Sequence, residues 1–103
     1  MQQRQLVILS RTSYKNGVPD PIGSRVDVVN ALAMRNTLAD IEGGDILYGP
    51  GVDIQLPPGQ DPIQQMLLTI TDEDIAWPVI LRLAKDLQWK LLDPVSAREL
   101  TPP

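Results

Sequence analysis

Gln64-Gln65-Met66-Leu67-Leu68-Thr69-Ile70, Thr71-Asp72-Glu73-Asp74, Ile75 to Leu87 and Trp89-Lys90-Leu91-Leu92-Asp93-Pro94 follow one another as strand, cap, helix and strand. Met66, Leu68 and Ile70 alternate with Gln65, Leu67 and Thr69, the period of a strand with one buried face. Leu67 departs from the pattern and puts an apolar side chain on the second face. Thr71 is the predicted helix cap, with Asp74 three residues on. The acids Asp72, Glu73 and Asp74 suit the positive end of a helix dipole. Ile75, Ala76, Val79, Ile80, Leu83, Ala84 and Leu87 then form one apolar stripe at helical spacing. Pro78 interrupts it. A proline there removes a backbone donor and predicts a kink at Trp77-Pro78, or a first turn separate from the main helix.

Working outward, Leu6-Val7-Ile8-Leu9 is a short apolar run suited to a central strand. Lys15 to Gly23 is a loop rich in turn formers. Ser24 opens a first helix, with Asp27 at the capping-box position. Val28, Ala31, Leu32, Arg35, Leu38 and Ala39 share a face, Met34 and Ile41 widen it, and Gly43-Gly44 are the predicted stop. Asp45-Ile46-Leu47-Tyr48 reads as a short strand or the start of one, Gly49-Pro50-Gly51 as a bend. Val52, Ile54 and Leu56 alternate in a strand expected to pair as a hairpin with residues 64–70. The element order is strand, helix, strand, strand, helix, strand. It resembles the ferredoxin-like βαββαβ two-layer sandwich, an α+β fold with an antiparallel sheet and both helices on one face. Residues 1–94 are expected to form the single domain, and 95–103 a loosely held tail.

Composition bounds the function. The 103 residues carry a net charge of -4, which argues against a nucleic-acid surface. The nine basic residues are scattered. Without cysteine there are no disulfides, thiolate nucleophiles or cysteine zinc sites. Four apolar residues at Leu6–Leu9 are too few for a signal peptide or a membrane span, so the expected location is cytoplasmic, with no membrane partner.

With no histidine and no cysteine, the commonest general base and the strongest nucleophile are missing. No catalytic residue, cofactor or metal ligand is assigned. Asp72, Glu73 and Asp74 read as a helix start, because consecutive helical residues point in different directions and make a poor cation cage. Gly49-Pro50-Gly51 lacks the lysine and helix start of a phosphate loop. Trp77, Tyr48, Tyr14 and Leu67 are the candidate partner or ligand contacts. Trp89 reads as core. The expected role is a non-catalytic binding or protein-interaction module that self-associates through the open sheet face. The alternatives are a small-molecule-binding domain using loops 15–23 and 48–51, and an enzyme working without His or Cys.

Overall fold

The computed structural model describes residues 3–11 and 20–100. The alternating stretch before Thr71 becomes β4 (Met66–Ile70), and the Leu6–Leu9 run becomes β1 (Gln5–Ser10). With β2 (Ile46–Gly49), β3 (Val52–Gln55), β5 (Trp89–Asp93) and β6 (Arg98–Leu100) they form one six-stranded antiparallel sheet in the order β2-β3-β4-β1-β5-β6. Two helices, α1 (Arg25–Ala33) and α2 (Glu73–Asp86), complete a small α+β domain.

Leu6 stands opposite Leu68, Ile8 opposite Met66 and Leu91, and Ile54 opposite Leu68 and Leu47. Residues paired across strands share a face, so these side chains line one side of the sheet. They join Val28 and Leu32 of α1 and Ala76, Ile80, Leu83 and Ala84 of α2 in a single core cluster. Both helices therefore cover the same face. With no Phe, the core is aliphatic apart from Trp89. Each fully buried Leu or Ile contributes roughly 1.5–3 kcal/mol.

The four-stranded βαββαβ sandwich expected from the sequence is not matched: there are six strands, with β2 and β6 at the edges. Pro50-Gly51 supplies a tight turn that folds Ile46–Gly49 back on β3 as a separate strand, with Gly49 opposite Val52. Gly51 has φ 73°, where glycine carries no Cβ penalty. At the other end, residues 95–100, within the segment expected as a tail, turn back on β5. The carboxylate of Asp93 accepts the amides of Val95 (2.9 Å) and Ser96 (3.4 Å), Ala97 takes φ 57°, and Arg98 pairs with Asp93.

The first helix starts at the expected cap, with Ser24 Oγ accepting the Asp27 amide at 3.2 Å. It ends well before Gly43. Asn36 adopts φ 60°, the Asn36 amide donates to Ala33 and the Thr37 amide reaches back to Leu32. This is the closing pair of a Schellman turn. Leu38 and Ile41, expected on the buried stripe, are instead 54% and 68% exposed. Leu38 exchanges both backbone hydrogen bonds with Tyr48 (3.0 and 2.8 Å) along the outer side of β2.

The second helix is continuous across Pro78, with no separate first turn. Its cap is Asp72, not Thr71: Asp72 Oδ1 accepts the Asp74 amide at 3.1 Å. The Thr71 and Asp72 amides both donate to the Gly51 carbonyl, at 2.8 and 3.2 Å. A Cβ on Gly51 would sit 2.8 Å from the Ala76 nitrogen, so only glycine lets the β2–β3 turn lie against this first helical turn. That contact, with burial of Ala76 and Ile80 on either side of Pro78, holds both turns in one helix.

Candidate functional site

Inward-facing residues in β1, β4 and β5 force their neighbours outward. Register then lines up Ile46, Gln55, Leu67, Val7, Leu92 and Glu99 in a row across the open face of the sheet. Its centre, Leu67-Val7-Leu92, is apolar. Leu9 extends the patch along β1 beside Lys90. All four apolar side chains are half-buried by their neighbours, and neither helix covers them. Val7 and Leu67, with Gln55 and Gln65, line a shallow depression of about 230 Å³.

The frame is polar. Tyr48, Asp53, Thr69 and Gln5 form the next row, where Gln5 Nε2 donates to Thr69 Oγ1 at 3.3 Å. Lys90 meets Glu99 at 4.0 Å on the β5–β6 side. Such exposed pairs contribute little energy, so the apolar centre dominates the chemistry of this face.

Of the candidate contacts, Leu67 lies in the middle of this patch and Tyr48, 43% exposed, at its β2 edge. Trp77 is elsewhere. It is half-buried on α2 against the core, with the Arg4 guanidinium 5.1 Å above its ring, and Arg4 also pairs with Asp93 at 3.1 Å. Tyr14 and residues 15–19 lie outside the described residues. Of the two loops of the small-molecule alternative, the described parts lie at opposite ends of α2. Gly51 touches the first turn of α2, whereas Ile22 and Gly23 line a cavity with Leu87 and Trp89 beyond its last turn. A helix of 14 residues separates those ends by about 20 Å.

Other charged groups hold the frame together. Arg25 pairs with Asp45 and donates to the Pro57 carbonyl at 2.9 Å, while its amide donates to Asp61 Oδ1 at 3.0 Å. Asp45 and Asp61, unconnected in the sequence reading, thus meet at one arginine. Arg11 donates to the carbonyls of Ala84 (3.1 Å) and Trp89 (3.2 Å), a cation at the negative end of α2. Leu92 was missed as a surface residue, although the inward Trp89 and Leu91 signal it by alternation. Among the described residues no cluster of His, Cys, Asp or Glu could hold a metal ion, and no helix is long and apolar enough to cross a membrane.

No protein-family model, curated protein or solved structure matches this chain.

Proposed function

We propose that this protein is a non-catalytic interaction module that self-associates through the open face of its sheet. The observation that carries the reading is the apolar row Leu67-Val7-Leu92, extended by Leu9, on the side of the sheet opposite both helices. A contiguous apolar patch with a polar rim is the usual composition of a protein-binding surface. Tyr48 at the patch edge supplies an aromatic side chain of the kind enriched in such contacts.

The same reading treats β3-β4-β1-β5 with the two helices as a ferredoxin-like inner unit, widened by β2 and β6. Its support is the order of those inner strands and the shared face of the helices. A cytoplasmic location belongs to this proposal, its support being the cysteine-free composition.

Size-exclusion chromatography with light scattering across a hundredfold concentration range tests the function. A mass rising from one chain to two supports it, and a constant single-chain mass at the highest concentration refutes it.

A further inference from the structure

The charges on the open face are placed around its apolar centre. Among the described strand residues that point away from the helices, Lys90 is the only cation, and Asp53 and Glu99 are the acids. Lys90 reaches Glu99 of its own chain at 4.0 Å, and Asp53 makes no ion pair among the described residues. Asp53 stands on β3 in the row of Thr69 and Gln5, and Lys90 stands on β5 in the row of Leu9. From β3 to β5 is three strand spacings, about 14 Å, and from the row of Gln5 to that of Leu9 is four residues, about 13 Å. The midpoint of that diagonal falls between Leu67 and Val7, the paired residues at the centre of the apolar patch. Opposite charges thus flank the patch at equal distances on opposite sides.

We infer that two copies stack on this face about a twofold axis that lies in the contact plane, passes between Leu67 and Val7 and runs perpendicular to the Asp53–Lys90 diagonal. The inference rests on the self-association proposed above and adds its orientation. That axis sets each Asp53 opposite the Lys90 of the second copy, one such contact at either end of the apolar centre. Stacked sheets lie about 10 Å apart, a gap that an aspartate and a lysine span together. Lys90 then lies between two carboxylates, Glu99 of its own chain and Asp53 of the other. Because the diagonal covers nearly equal lengths across and along the strands, strands of the two sheets cross at about 90°, the orthogonal class of sheet packing. An axis along or across the strands would instead set both charges against Pro57 and Pro94, which follow β3 and β5. Charge complementarity of this kind fixes orientation more than it adds affinity.

Light scattering with Asp53→Lys and Lys90→Asp tests the arrangement, each variant alone and the two mixed in equal amounts. Both side chains lie outside the core, and circular dichroism checks that each variant is folded. Either reversal alone sets like charges opposite one another at both ends and should weaken the pair by about tenfold or more. The mixture should associate about as tightly as wild type, because every contact in a mixed pair again joins opposite charges. If a reversal disturbs the fold, Asp53→Asn and Lys90→Gln replace it, each weakening the pair by about two- to tenfold. Affinities of both reversals within about twofold of wild type, or a mixture no tighter than its components, overturn the arrangement and leave self-association through the face standing. A wild type that stays a single chain at every concentration overturns both.

Discussion

At Asp93 a single carboxylate gathers the Val95 and Ser96 amides and the Arg4 guanidinium. The Val95 amide is the main reason its carboxyl is held below the ordinary value of 3.8; partial desolvation opposes this, and Ser96 and Arg4 lower it further. A pKa lower in the folded state than in the unfolded chain means stability that is fully present above the unfolded value. That stability is lost as pH falls through the folded value. The β5–β6 turn and the Arg4 contact should therefore loosen in acid, below about pH 4. Asp93→Asn should destabilise the protein at neutral pH, and its difference from wild type should shrink towards about pH 2, as read by urea unfolding at the two pH values. The sequence marked Asp93-Pro94 only as the end of a strand. Its main partners are backbone amides in a turn, and Arg4 is far away in the chain, so no spacing rule points to the cluster.

The helices show how local rules compete. In α2, Pro78 leaves the Asp74 carbonyl without the amide donor that any other residue would give it. Pro78→Ala should raise stability by about 1–2 kcal/mol, measured as a higher urea midpoint at unchanged slope, because the restored bond outweighs the greater freedom of the unfolded chain. Gly51→Ala should do the opposite. A left-handed φ of 73° and a Cβ pressed against the Ala76 backbone nitrogen call for a loss of about 2–3 kcal/mol, with the Thr71 and Asp72 amides exchanging faster in hydrogen-exchange experiments. Residues 66–70 and Ala76, Ile80, Leu83 and Ala84 of α2 were legible because alternation and helical spacing agree with burial there, although Ile75, expected on the same stripe, is 48% exposed in the first turn. The end of α1 was not. Met34, Leu38 and Ile41 continue the helical period, but Asn36 turns left-handed first, and apolar spacing cannot distinguish a buried stripe from exposed residues in a loop.

Across the whole molecule, the central pairing of β1 with β4 and the β3–β4 hairpin follow from the apolar patterning of their strands. Of the edge strands, β2 was legible as a short strand at Asp45–Tyr48 ahead of the Gly49-Pro50-Gly51 bend, whereas β6 was not, because it depends on the Asp93 carboxylate. Leu67 was legible as the exception to its strand's alternation; Val7 and Leu92 join it only once the register is known. Leu67→Glu should yield a single-chain mass by light scattering at concentrations where the wild type is dimeric, with an unchanged far-ultraviolet circular dichroism spectrum. The side chain is outside the core, so the fold should persist while a charge enters the centre of the proposed contact. The Leu38–Tyr48 backbone pair bears on what such an assembly becomes. It occupies donor and acceptor groups that the rim of β2 would otherwise offer to a neighbouring molecule, and the opposite rim is a strand of only three residues. Lateral recruitment would thus have little template at either margin, and the proposed stacking through the broad face would give a closed pair instead of a growing fibre.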